Sequence, residues 1–346
     1  MKAMKKTLLL LSTLSLFSCG QKTRENRITF EAMDTFMTLG SFGDNSGKAN
    51  SEIKEEVERI EELISTTKES SEIHKINSSG GGLEKVSNET AFLLDFALKM
   101  ANETDGALNP CLYPITKAWG FTSGDYRIPS DAEIEELLAF TDFRKASASE
   151  NSISSISIEE NMKIDFGSIG KGYAADQAVK ILKKNGIESA VLDFGGNVQV
   201  VGGKIGKDGK ISDWAVGVQN PFGDEPLGKL SLRDKAVVTS GGYERFFIGG
   251  DGKKYIHIFD SKTGRPVEND LASVTIVADS GLYADALSTA MFAMGFDKAA
   301  DFWRSKRDFQ MILVTKNFGI HYTEGLDGIL EIKAQEAKTG IIKTVR

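Results

Sequence analysis

Histidine and cysteine are scarce in this chain, with three and two residues among 346. Three histidines cannot build a histidine-rich metal centre, and neither an HExxH string nor a zinc-type Cys/His cluster occurs. The dinucleotide fingerprint G-x-G-x-x-G is also missing. The nearest approach to a Walker A loop, Gly223-x4-Gly228-Lys229, has Leu230 where a metal-binding Ser or Thr is required, so it reads as an ordinary loop. Basic residues are outnumbered, 42 Lys and Arg against 49 Asp and Glu. The resulting net charge of −7 argues against nucleic acid as a partner, because phosphate backbones select basic surfaces. What is present is globular: 40% apolar and 26% charged residues supply a large core. From Ile28 onward there is no long linker, low-complexity run or internal repeat, which favours one continuous body over two domains on a string.

The N-terminus has a different character. Met1–Lys6 carries three lysines, and Thr7–Phe17 is an apolar run too short to span a bilayer as a helix. Leu16-Phe17-Ser18-Cys19 follows and resembles the lipobox of bacterial lipoproteins, in which the cysteine is lipidated and becomes the first residue. The alternative is a plain signal peptide cut near Ser18. The expected layout is a signal peptide over 1–18, a lipidated polar tether over 19–28 beginning at Cys19, a catalytic body over 29–332 and a C-terminal tail over 333–346. Several acyl chains together anchor stably where one does not. A lipidated Cys19 leaves Cys111 without a disulfide partner, and its place after Pro110 in an apolar stretch predicts a buried, inert thiol.

Apolar residues at Ile53, Val57, Ile60 and Ile64 recur at helical spacing, as do Phe92, Leu93, Phe96, Ala97 and Met100, closed by Asp105-Gly106. Residues 172–184 and 282–294 predict two more helices. Strand-like runs lie at 189–194, 197–202, 214–219, 236–240, 254–259, 272–278 and 309–315, with Asp208-Gly209 and Asp251-Gly252 as hairpin turns. Hairpins with helices interspersed predict an α+β fold with largely antiparallel sheets packed against helices.

The chemistry concentrates in glycine-rich polar turns. Asp165-Phe-Gly-Ser-Ile-Gly-Lys-Gly-Tyr173 stands at a strand-to-helix junction, where free amides favour anions and glycines let backbone approach a phosphate. Asp193-Phe-Gly-Gly-Asn197, Thr239-Ser-Gly-Gly-Tyr-Glu-Arg245 and His257–Pro266 are further turns of this kind. Singly each is more often a tight turn than a site, but four together point to a large phosphate-bearing ligand. Asp285 and Thr289 are i and i+4, so on a helix both oxygens face one way. That pair suits a hard cation such as Mg²⁺; capping of its own helix by Asp285 is the alternative.

Taken in order, these strings resemble the ApbE-type FAD:protein FMN transferase family across roughly residues 30–330. The resemblance rests on Met33-Asp-Thr35, Ser71-Glu72-Ile73, Gly106-Ala-Leu-Asn-Pro110, Trp119-Gly-Phe121, the Asp165–Tyr173 string, Gly195-Gly-Asn197, Thr239-Ser-Gly241, His257–Pro266 and Ala284–Thr289. It implies a T-fold-like α+β architecture, FAD as substrate, a Mg²⁺ requirement and a location facing the periplasm. The acceptor it implies is a threonine or serine of a flavoprotein, either a subunit of a membrane redox complex or a secreted protein. By the same resemblance Asp285, Thr289 and the backbone carbonyl of Ser168 are metal ligands. Met33, Ser71, Ala107, Leu108, Asn109, Asp165, Lys171 and Phe259 fall where the family contacts FAD, and His257 falls at a position linked to catalysis. The sequence departs from the family pattern at Asp34, where Gly is usual, at Asn109, where Asp is common, and at Ser261, where Pro is usual.

The reaction needs neutralised pyrophosphate charge and an activated hydroxyl, so a base is expected: His257 first, Asp260 second. A histidine merely packed in a strand is the alternative reading of His257. Two other activities fit the same residues: an FAD pyrophosphatase releasing FMN and AMP, and a non-enzymatic flavin-binding lipoprotein.

Overall fold

The computed structural model of the chain describes residues 24–150, 153–334 and 337–344. The expected signal peptide, the lipobox and Cys19 lie outside the described residues. The eight helices of the described residues are α1 (Ser46–Ile64), α2 (Glu72–Ser78), α3 (Asn88–Glu103), α4 (Tyr113–Ala118), α5 (Asp131–Leu138), α6 (Gly170–Lys184), α7 (Gly281–Met294) and α8 (Phe296–Lys306).

The frame is a nine-stranded sheet. In spatial order it runs Glu25–Ala32, Thr35–Phe42, Ser189–Phe194, Asn197–Val201, Lys235–Gly241, Leu271–Ala278, Gln310–Thr315, Gly319–Thr323 and Lys338–Ile342. All neighbours are antiparallel except the last pair. The mixed α+β fold with largely antiparallel sheet is therefore what forms.

Strand periodicity explains why the sheet is covered on both faces. Along Gln310–Thr315, Met311 and Leu313 enter the core shared with the helices, while Ile312 and Val314 enter a second core on the opposite face. Along Leu271–Ala278, Val274, Ile276 and Ala278 face the helices, and a register shift between Leu271 and Ser273 turns Leu271 to that side as well. The first core is closed by α1, α6 and α7. Helix α1 buries Ile53, Val57, Ile60 and Ile64, one apolar stripe. Helix α7 is buried on nearly every side, from Leu282 through Phe292. The second core is closed by a three-stranded sheet, Trp214–Val218, Gly228–Leu232 and Leu330–Ile332. A third, smaller cluster gathers Ile115, Trp119, Phe121, Ile134 and Phe259 beneath α4 and α5.

Three boundaries differ from the sequence reading. The sheet already begins at Glu25, inside the expected tether, because residues 25–32 pair along their length with 35–42. The expected tail supplies the ninth strand, Lys338–Ile342, whose Ile342 reaches the first core. The single run expected at 254–259 is divided: Lys254–Ile256 pairs with Phe246–Ile248, and Phe259–Asp260 pairs with Arg265–Pro266. His257 and Ile258 lie between the two ladders. The turns at Asp208-Gly209 and Asp251-Gly252 join hairpins as expected.

Candidate active site

A cavity of about 450 Å³ opens where these parts converge, and most of the chemistry-bearing turns meet in it. Met33 enters from the two-residue turn between the first two strands. Ala107, Leu108 and Asn109 enter from the loop after α3. Asp165, Ser168 and Lys171 come from the junction into α6; His257 and Phe259 come from the break between the two small ladders; and α7 contributes Asp285 and Thr289.

Two of the expected residues are elsewhere. Ser71 does not line the cavity; its hydroxyl donates to the Leu63 carbonyl (2.8 Å) and accepts the Ile73 N–H (3.2 Å), capping α2. Asp260 does not line it either; its Oδ1 accepts the Lys262 N–H at 2.7 Å and its carbonyl accepts the Gly264 N–H at 2.8 Å, so it builds a turn. Asn109 lines the cavity with its amide already engaged. Nδ2 donates to the Thr141 carbonyl at 3.0 Å and Oδ1 accepts the Cys111 N–H at 2.8 Å. An aspartate there could not donate to Thr141, which accounts locally for the departure from the family pattern.

Asp285 is the unusual group. It is 4% exposed and is the one charged residue of its helix, and a carboxylate stripped of water is costly unless partnered. It does not cap its own helix, whose N-cap is Ser280. Instead its Oδ2 accepts the N–H of Gly172 in the first turn of α6, at 2.8 Å. Burial pushes its carboxyl above the usual range, opposed by the Lys171 charge and that N–H. The close approach depends on glycine: a β-carbon on Gly172 would collide with the carbonyl oxygen of Gly281. Asp165 is likewise pushed up by burial, against the Gly167 N–H that its Oδ1 accepts at 2.8 Å.

The donors around Asp285 match a hard cation. Thr289 offers a hydroxyl one turn further along α7 and Ser168 lines the same cavity, so the set is all oxygen. Among the described residues no group of three His, Cys, Asp or Glu could hold a metal, so an ion at Asp285 would need phosphate or water oxygens to complete its shell. Beside it, the buried amide of Asn197 lines the same cavity, close enough to Asp285 to help hold its carboxyl charged, though its Nδ2 makes no well-formed hydrogen bond. A buried amide beside a carboxylate, with no well-formed hydrogen bond of its own, fits an oxygen-bearing ligand.

His257 donates Nδ1–H to the Arg245 carbonyl at 3.1 Å, since a carbonyl only accepts. In the neutral ring the lone pair is then on Nε2. Burial pushes the imidazole down to about 4, helped by the positive charges of Arg245 and Lys171, so it is neutral at pH 7. Arg245 is fixed in turn by a bond from its guanidinium to the Phe121 carbonyl at 2.7 Å.

The profile of the ApbE family matches residues 33–313. This chain belongs to the ApbE family. Its ApbE relatives include the FAD:protein FMN transferase of Klebsiella pneumoniae, 32% identical over 75% of this chain and 80% of that one, and that of Treponema pallidum, 34% identical over 70% of each. Among solved structures, the ApbE protein of Thermotoga maritima superposes with a TM-score of 0.82 at 33% identity, covering 88% of this chain and 99% of that one. The apo flavinyl transferase ApbE of Pseudomonas stutzeri gives 0.75 at 26% identity, covering 85% and 92%.

Several cavity residues of this ApbE chain carried no assignment from sequence. Asn197 and Arg245 sit in turns whose glycines were conspicuous, but burial of one amide and fixation of one guanidinium are tertiary facts. Glu244 keeps contact with solvent, yet the surrounding walls push its carboxyl up to about 7, with Lys171 opposing and Asp285 assisting. Thr66, Thr67 and Lys68 also reach the cavity from the segment after α1, a polar stretch with no distinguishing pattern.

Proposed function

We propose that this chain transfers the FMN half of FAD to a threonine or serine hydroxyl of an acceptor protein and releases AMP. The supporting observation is that one cavity holds both an all-oxygen cation set on α7 and a neutral histidine with its lone pair on Nε2. The acceptor hydroxyl oxygen bonds to the FMN phosphorus, the phosphoanhydride bond to AMP breaks, and AMP leaves with the electron pair. Nε2 of His257 takes the hydroxyl proton. Mg²⁺, held by Asp285, Thr289 and the carbonyl of Ser168, would neutralise charge developing on the pyrophosphate. Lys171 adds fixed positive charge, and the buried Asn197 amide beside Asp285 adds a hydrogen-bond donor. Arg245 holds His257 in its tautomer, and the buried walls keep it unprotonated. Asp260, engaged in its own turn, is the lesser candidate for base.

Relatives named for FMN transfer from FAD to protein support the same reading. The lipobox-like string extends it to an exported, lipid-anchored enzyme facing the periplasm, acting on flavoprotein subunits of membrane redox complexes or on secreted flavoproteins. The test is incubation of the soluble form with FAD, Mg²⁺ and candidate acceptors. A mass gain of one FMN on an acceptor supports transfer. Free FMN and AMP without labelling would make the chain a pyrophosphatase, and tight FAD binding without AMP release a flavin carrier.

A further inference from the structure

A protein acceptor must reach the mouth of the cavity, and one element rises directly from it. Phe246–Ile248 and Lys254–Ile256 form a two-stranded ribbon rooted on Arg245 and His257, both of which line the cavity; the His257 N–H bonds the Arg245 carbonyl at 3.2 Å and closes the root. The two faces of the ribbon differ. Phe247 and Tyr255 point inward and stack at 5.2 Å, with Tyr126 stacked on Phe247 at 5.1 Å. Phe246 and Ile248 point the other way and are 42% and 59% exposed.

This outer face is also basic. The Lys254 ammonium lies over the Phe246 ring, 3.9 Å from its centroid. Partial burial, and in smaller part the charge of Lys316, holds the Lys254 ammonium below its usual pKa. Among the described residues no carboxylate forms an ion pair with either lysine, although the chain as a whole carries −7. Exposed aromatic and aliphatic side chains beside unneutralised lysines make a surface that selects apolar and acidic groups together.

We propose that the outer face of this ribbon, formed by Phe246, Ile248 and Lys254 with Lys316 beside it, is where the acceptor protein docks, through a segment bearing apolar and acidic side chains next to the receiving hydroxyl. The inference rests on the transfer reading above. Docking here places the partner at the root residues Arg245 and His257. The ribbon confers acceptor choice, while FAD is held by the cavity.

The test uses the exported and membrane proteins of a strain lacking this enzyme, supplied with FAD and Mg²⁺, and reads covalent flavin fluorescence on denaturing gels. Phe246→Ser/Ile248→Ser and Lys254→Glu/Lys316→Glu are compared with the wild type for labelling, melting temperature and FAD affinity. Labelling at limiting acceptor falls by about tenfold or more in both, with FAD affinity and folding unchanged. Mass spectrometry of the labelled bands finds acidic and apolar residues flanking the modified hydroxyl. Wild-type labelling by both folded variants would overturn the docking surface alone. Loss of FAD binding alongside labelling would assign the ribbon to the FAD site and overturn it too. AMP release by the wild type with no labelled band would instead remove the transfer reading, and the docking surface with it.

Discussion

Asp285 on α7 and Asp176 on α6 each serve the N-terminus of the other's helix. Asp285 accepts the Gly172 N–H at 2.8 Å. Asp176 accepts the N–H groups of Gly281 at 2.7 Å and Leu282 at 3.1 Å and the Ser280 hydroxyl at 2.6 Å. Each carboxylate satisfies donors that a helix start leaves open and sits at the positive end of the partner's dipole. The helix bearing the proposed metal ligands is thereby locked to the helix bearing Lys171. Asp176→Ala should cost about 1–3 kcal/mol in denaturant unfolding, because several buried donors lose their acceptor. It should also raise the Mg²⁺ concentration needed for thermal stabilisation. Loss of stability with unchanged Mg²⁺ response would restrict Asp176 to a structural role.

Asp285→Asn separates metal binding from folding. Burial disfavours the charged carboxylate, so the metal-free variant should melt no lower than the wild type. Added Mg²⁺ should raise the melting temperature of the wild type and not of the variant, and transfer should be nearly abolished. A variant that still responds to Mg²⁺ would place the ion elsewhere.

His257→Gln should slow single-turnover transfer by roughly 10²–10⁴-fold with little change in FAD affinity. It should also change the acid limb of stability. The folded imidazole is held at about 4, below its ordinary 6.5, so the unfolded chain takes up this proton first as pH falls. The stability contributed by neutral His257 is complete above about pH 6.5 and is lost as pH falls through about 4. The raised carboxyl of Glu244 acts in the opposite direction, but it is common to both proteins. The difference between wild-type and variant melting temperatures from pH 7 to 4 isolates the histidine, and equal slopes would contradict its burial in the neutral form.

Asp34→Gly should stabilise the fold. Met33 and Asp34 form a two-residue hairpin turn with φ of 52° and 59°, a left-handed conformation that residues with a β-carbon resist. Glycine at 34 should gain about 1 kcal/mol in urea unfolding. No gain would mean that the Asp34 side chain offsets the strain.

The anchor is tested at Cys19. Cys19→Ala should leave the protein unlipidated and in the soluble fraction after export, and unchanged membrane retention would refute the lipobox reading.

The long amphipathic helices and the buried strands were legible because their periodicities survive in the sequence: Ile53 to Ile64 for α1, and 309–315 for the strand Gln310–Thr315. The first hairpin was not. Its turn, Met33-Asp34, lacks the glycine or asparagine that normally marks positive φ. Helix α2 is seven residues long, too short to show a period. In the site, the Asp285–Thr289 spacing and the glycine turns around Lys171 were readable. Ser71, where the resemblance places a ligand contact, caps α2 outside the cavity lining, and serine before Glu-Ile serves either purpose. The burial of the Asn197 amide beside Asp285 depends on what packs around it, and no local pattern encodes that.

The order of strands in the sheet constrains how the chain reaches this state. Met37 pairs with Phe194, so the second strand finds its neighbour only after α1 to α6 have been made, and the strand Gly319–Thr323 gains its outer neighbour from Lys338–Ile342 later still. Loop closure over such separations is entropically expensive and makes folding slow. The N-terminal hairpin therefore presents an unpaired strand edge until the segment Ser189–Phe194 has been made and folds back onto it.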